Sequence, residues 1–170
     1  MKNAGKRVAV YGVLIALALI LSYLESLIPA FFAVPGMKIG LTNLVVILAL
    51  YLIDWPSAVI INILRVILVG ILFGNVYSLI YSLAGAILSG AGMIILKKTG
   101  KFRMLTVSIA GGVLHNIGQI LVAVLILNTV KVAWYVLILW FSGIAAGAVI
   151  GIISSILCKR LEGPVRKFLK

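Results

Sequence analysis

The stretch GGVLHNIGQ, Gly111 to Gln119, lies inside an apolar run from Met104 to Leu127, and its reading decides the fold. It places the sole histidine, an asparagine and a glutamine where hydrocarbon belongs. Lipid offers such groups no hydrogen bond, so each needs a partner from protein, water or ligand. On a helix, Gly111, His115 and Gln119 fall at i, i+4 and i+8 and share one face. Asn116 sits about 100° round from His115, beside Gly112. One face is therefore polar with small residues next to it, and the other is Val, Ile and Leu. Small residues let a neighbouring helix or a ligand approach the backbone closely.

Outward from that stretch, the whole chain reads the same way. Its 170 residues fit one domain, and 64% hydrophobic content with a mean hydropathy of +1.31 removes it from the soluble class. The sequence predicts an all-α integral membrane protein, a single domain over residues 1–170. The first apolar run follows Lys2, Lys6 and Arg7, as a signal peptide would. It is longer than a usual signal core and shows no small-residue cleavage site before Glu25, so the expectation is a retained span.

Six transmembrane helices are expected, over roughly 8–28, 39–53, 56–74, 76–97, 104–127 and 132–158. With the N-terminus inside, the inner side carries Lys2, Lys6, Arg7, Lys97, Lys98, Lys101, Arg103, Lys159, Arg160, Arg166, Lys167 and Lys170. The outer side has only Lys38 and Lys131, and Arg65 stays within a span. This bias places both termini in the cytoplasm of a multi-pass cell-membrane protein. It also accounts for the net charge of +12 without nucleic acid, because the basic residues sit between spans rather than on a soluble face. The single cysteine, Cys158, excludes an internal disulfide and a Cys-based metal cluster, and reads as a helix-end filler.

Gly12 and Ala16 on the first span have the small-xxx-small spacing of a helix-packing face, toward another helix of this chain or another subunit. Glu25 near its outer end is either a rim carboxylate or the partner of an intramembrane cation such as Arg65. Two prolines and Gly36 break the segment that follows, so the second span is short. At its start Lys38, Thr42 and Asn43 have two readings. Backbone N–H groups and the helix dipole there favour an anion, or the segment is an ordinary capped start with a snorkelling lysine. Asp54-Trp55-Pro56 is a tight inner turn, with Trp55 at interfacial depth.

In the third span Asn62 and Arg65 share a face. An arginine at that depth costs about 2.5–3.5 kcal/mol on insertion scales and should be buried and paired. It either binds an anionic ligand or serves as a structural post. Ser82, Gly85, Ser89 and Gly92, and then Gly143, Gly147, Gly151 and Ser155, form small-residue seams for helix packing. Trp134, Tyr135 and Trp140 suit the outer interface.

The chain has three acidic residues, Glu25, Asp54 and Glu162, and no two are neighbours in sequence. Divalent-metal phosphoryl or prenyl chemistry normally needs carboxylate clusters. A Gly-rich phosphate loop is also missing. The sequence argues against an enzyme and calls for no cofactor or metal.

The segments PGMKIGLTN (35–43), RVILVGILFG (65–74), SLAGAILSGAGM (82–93) and GGVLHNIGQ (111–119) resemble the Gx transporter family, also catalogued as heptaprenyl diphosphate synthase component I. That family resembles the substrate-binding S components of energy-coupling factor (ECF) transporters. The resemblance implies a compact six-helix protein that captures a small molecule at the outer face. It also implies docking, through small residues of the first helix, onto a transmembrane coupling subunit driven by two ATPases. Gly12 and Ala16 stand in a comparable place, where S components usually show alanines.

The expectation is that Lys38, Thr42, Asn43, Asn62, Arg65, His115, Asn116 and Gln119 form a substrate site for an anionic or amphipathic molecule. Replacing Arg65 with leucine should then abolish binding and leave the fold intact. The family's other name implies instead a membrane accessory subunit in heptaprenyl diphosphate synthesis, with the chemistry in a second protein. In a third reading the polar residues only pair with one another inside a structural bundle.

Overall fold

A computed structural model describes residues 2–27, 40–129, 134 and 136–169. Six helices account for nearly all of them: α1 (Lys2–Leu27), α2 (Asn43–Leu52), α3 (Trp55–Phe73), α4 (Val76–Lys98), α5 (Met104–Leu127) and α6 (Val136–Leu169). No strand occurs among the described residues. Five helices are long and apolar enough to cross a membrane, and the protein is a polytopic helical bundle. The expected Lys38, Lys131 and Tyr135, and the Pro/Gly break over 28–39, lie outside the described residues.

The exception is α2, which has ten residues and does not cross on its own. Its length is about 15 Å, half of the roughly 30 Å hydrocarbon core. It forms the centre of the bundle instead: from Val45 to Leu50 no residue is more than 2% exposed. A helix that is apolar on every side must be either surrounded by lipid or buried in protein. Here α1, α3, α5 and α6 all pack against it.

Two other boundaries differ from the expected spans. Helix α1 starts at Lys2, and α6 runs on to Leu169 rather than stopping near 158. Helical hydrogen bonding does not end where an apolar run ends. Beyond Cys158, Leu161, Val165 and Phe168 recur at helical spacing and line a groove with Val10 and Val13 of α1. Lys6 Nζ stands 5.9 Å from the centre of the Phe168 ring, within cation–π reach.

Among the described residues, Lys6, Arg7, Lys97 and Lys98, all counted on one side of the membrane, make contacts at one end of the bundle. Arg7 pairs with Asp54 at 3.1 Å. Lys97 donates to the Leu50 carbonyl and lies 4.7 Å over the Tyr51 ring, and Lys98 lies 4.6 Å over the Trp55 ring. These contacts join the starts of α1 and α3 to the ends of α2 and α4, here called the basic end.

Asp54 is also the N-cap of α3, accepting hydrogen bonds from the backbone N–H and hydroxyl of Ser57. Burial alone would raise its pKa, but the Ser57 hydrogen bonds and Arg7 outweigh it and hold the carboxyl below its ordinary range. A carboxylate depressed in the folded state contributes stability above its unfolded pKa and loses it as pH falls through the folded value. Asp54→Ala is expected to cost about 1 kcal/mol at neutral pH, as for other lost caps. The cost should shrink as pH falls from neutral through the lowered folded-state value, where the carboxyl becomes protonated. Thermal unfolding in detergent across that pH range checks this, and a pH-independent difference would sink the charged-cap explanation.

Helices α4, α5 and α6 pack backbone to backbone. A Cβ added to Gly112 would lie 2.4 Å from the Gly143 carbonyl oxygen, so glycine is required for this approach. Ser108 Oγ donates to the Gly147 carbonyl at 2.6 Å in the same seam. The small-residue seams predicted on α4 and α6 are therefore scaffold, joined through the glycines of α5.

Candidate functional site

Helix α1 buries a stripe of Leu14, Ala18, Ser22 and Glu25, at successive helical turns. Toward its end that stripe turns polar, and there it meets the start of α2 and the middle of α3. Arg65 of α3 is at the meeting point, 4% exposed. Its Nε donates to Asn62 Oδ1 at 3.0 Å, one Nη donates to Thr42 Oγ1, and the other donates to Asn43 Oδ1 at 3.2 Å. Asn62 is itself held by donation from Nδ2 to the Ala86 carbonyl of α4 at 2.9 Å. The guanidinium thus has fixed geometry from both neighbouring helices.

Glu25 is no rim carboxylate. It is 6% exposed, its Oε1 accepts from the Gly40 N–H at 2.5 Å, and it interacts electrostatically with Arg65. Its burial excludes the rim reading, and it lies close enough to Arg65 to act on it electrostatically. His115 of α5, 2% exposed, reaches the same place. A Cβ on Gly85 would lie 2.8 Å from His115 Nδ1, and one on Gly40 would lie 3.4 Å from Cδ2. Gly40 has φ +90°, a left-handed value that admits glycine readily and other residues only with strain.

Between these groups lies a cavity of about 10 Å³, lined by Ser22, Gly40, Thr42, Arg65, Ser82 and His115 together with Val66 and Val69. It has room for about one water. Ser82 Oγ on its wall and Asn43 Nδ2 beside Gly40 are buried without a hydrogen-bond partner among the described residues. The cluster has the Arg65 guanidinium at its centre, one carboxylate beside it, and hydroxyls, amides and the His115 imidazole around them.

The expected site is assembled in part. Thr42, Asn43, Asn62, Arg65 and His115 converge. Gln119 is 1% exposed, one turn further along α5, and does not line the cavity. Asn116 is directed elsewhere: its Nδ2 donates to the Leu139 carbonyl of α6 at 2.6 Å, so it ties α5 to α6. Neither expected reading of Thr42 and Asn43 is what forms. The N–H groups of Asn43, Leu44 and Val45 are taken by the carbonyls of Gly40, Leu41 and Thr42. Thr42 makes no side-chain cap, and both side chains serve Arg65. Sequence reasoning missed Ser22 as a lining residue, although it stands three before Glu25 on one helical face. Ser82 was legible only as packing.

On the outside of α1, Gly12 and Ala16 are exposed, and a Cβ on Gly12 would meet nothing within 4 Å. This small-residue face is not used by the described residues of this chain. Val8, Val13 and Ile20 are exposed on the same helix.

The three acidic residues are dispersed, and among the described residues no group of three or more His, Cys, Asp or Glu gathers. No curated protein and no solved structure matches the chain. A family model described as heptaprenyl diphosphate synthase component I matches residues 14–157, and the chain belongs to that family.

Proposed function

We propose that this member of the heptaprenyl diphosphate synthase component I family is a non-catalytic membrane subunit that captures a small anionic molecule at Arg65. The observation that carries the reading is the fixed guanidinium of Arg65, presented by neutral oxygens of Thr42, Asn43 and Asn62 beside a cavity at the junction of α1, α2 and α3. An arginine fork matches a carboxylate or phosphate bidentately. The basic end is cytoplasmic by the positive-inside rule, which puts the Arg65 centre in the outer half of the bundle. A cavity of about 10 Å³ holds no ligand, so capture requires Gly40 and Thr42 to move away from Glu25 and Arg65. The chain supplies no energy source, so import needs ATP-hydrolysing partners with a transmembrane coupling subunit, as for an S component.

The second reading rests on the family's description. There the subunit is an accessory to prenyl diphosphate synthesis, the anion is a diphosphate, and the chemistry belongs to a soluble, aspartate-rich partner. Affinity purification from the native membrane in mild detergent, with mass spectrometry of what is retained, separates the two. An ATPase pair with a coupling subunit supports import. A prenyl synthase supports the second reading, and recovery of the chain with neither partner removes both.

Partner docking through α1 has its own expected result. Gly12→Leu should not lower thermal stability and should raise it by up to about 1 kcal/mol, because the added side chain projects into open space and glycine is a poor helix former. The same variant should lose the co-purified partner. Full partner recovery would show that Gly12 and Ala16 are not the docking face.

A further inference from the structure

Toward the basic end, α3 and α4 separate and leave a second cavity of about 250 Å³, distinct from the one at Arg65. It is larger than the roughly 150 Å³ apolar cavity that accepts a benzene ring. Its floor is Val46 and Leu50 of α2, and its walls include Val59 of α3 and Ile87, Ala91 and Ile94 of α4. Val59 and Ile87 are 41% and 56% exposed, so the groove opens sideways, toward the bilayer rather than into the bundle.

Its two ends differ in chemistry. At the inner end stands Asn62, whose Nδ2 is given to the Ala86 carbonyl and whose Oδ1 is taken by Arg65. Both amide atoms of Asn62 are thus engaged by protein, and with Ala58, Ile63 and Ala86 around it that end suits a hydrocarbon terminus. At the other end the α4 wall runs into lysine. Lys98 follows Ile94, Ala91 and Ile87 at i−4, i−7 and i−11, on the stripe that lines the groove. Lys97 follows Met93, Gly90 and Ala86 in the same register. Trp55, half exposed, sits under Lys98 at the start of α3. Arg7 and Asp54 are nearby as a pair, so the local charge stays positive. From Ala86 to Lys98 the α4 wall is about 18 Å long at 1.5 Å per residue. One leaflet of hydrocarbon is roughly 15 Å deep.

We propose that this groove is a binding site for an anionic phospholipid of the leaflet at the basic end. One acyl chain lies between α3 and α4, and the phosphate lies against Lys98 and Lys97. Charge complementarity selects this occupant: an uncharged hydrocarbon gains from the groove but nothing from the two lysines. The site does not depend on what Arg65 binds.

Native mass spectrometry of the full chain in detergent tests it, with phosphatidylglycerol and phosphatidylcholine of identical acyl chains as probes. The wild type should retain phosphatidylglycerol preferentially. Lys98→Gln should reduce that preference by about fivefold, the effect of one lysine near an anionic surface. Lys98 holds no backbone group, so this variant keeps its fold. Ala91→Phe, on the exposed wall, should displace both lipids by filling the groove. Equal retention of the two lipids by the wild type would overturn the proposal. So would undiminished phosphatidylglycerol on Ala91→Phe with an unchanged melting temperature.

Discussion

Arg65→Leu is expected to destabilise the bundle by about 3–5 kcal/mol, the range for removing one member of a buried charge pair. The guanidinium is the donor for Thr42, Asn43 and Asn62, and it offsets the buried carboxylate of Glu25. Leucine would strand those oxygens and leave Glu25 without its countercharge. A lone cation in a span could be replaced with the fold intact. With α1, α2 and α3 meeting on it, the same residue organises the core. Adding Glu25→Gln to Arg65→Leu should recover part of the loss, because removing both charges of a buried pair is often near neutral. Arg65→Lys keeps the charge but not the fork, and should fall between the two. Thermal unfolding of the single and double variants in detergent reads all three. A loss below about 1 kcal/mol for Arg65→Leu, within the range of an ordinary point substitution, would mean that Arg65 is not structural and would return it wholly to ligand capture.

Gly112→Val should be the second severe change, at about 3 kcal/mol, the upper end for overpacking. A Cβ at Gly112 falls 2.4 Å from the Gly143 carbonyl oxygen, and the atoms it meets are backbone, which cannot rotate away. Relief requires α5 and α6 to separate. That would break the Asn116 bond to the Leu139 carbonyl and the Ser108 bond to the Gly147 carbonyl. Gly5→Ala, at a helical position of α1 with nothing within 4 Å, is the control and should be stabilising by about 0.5–1 kcal/mol. If Gly112→Val and Gly5→Ala shift the melting temperature alike, the close α5–α6 approach is wrong.

These expectations separate what was legible along the chain from what was not. The spans of α3, α4 and α5 could be read almost to the residue, because apolar runs bounded by charge or turn residues leave the helix little choice. The common face of Asn62 and Arg65, the need of Arg65 for a partner, and the basic end all followed from spacing and charge. The role of α2 did not follow, since hydropathy assigns the same value to a residue facing lipid and one facing protein. Thr42 and Asn43 were read through their backbone N–H groups, and their side chains turned out to matter. Asn116 and His115 are adjacent on α5, yet one bonds to α6 and the other faces Gly85 and Gly40.

By itself, the sequence determined that this is a membrane bundle, where its helices run and which residues share each helical face. These properties belong to one helix at a time, through the 3.6-residue period and the cost of burying charge. Tertiary structure alone decided which faces meet. Glycine contacts such as Gly112 against Gly143 set how closely α5 and α6 approach, and that choice of neighbours sends Asn116 to scaffold work. The meeting of α1, α2 and α3 sends Thr42, Asn43 and Asn62 to a single arginine and brings the Glu25 carboxylate onto the neighbouring Gly40 N–H.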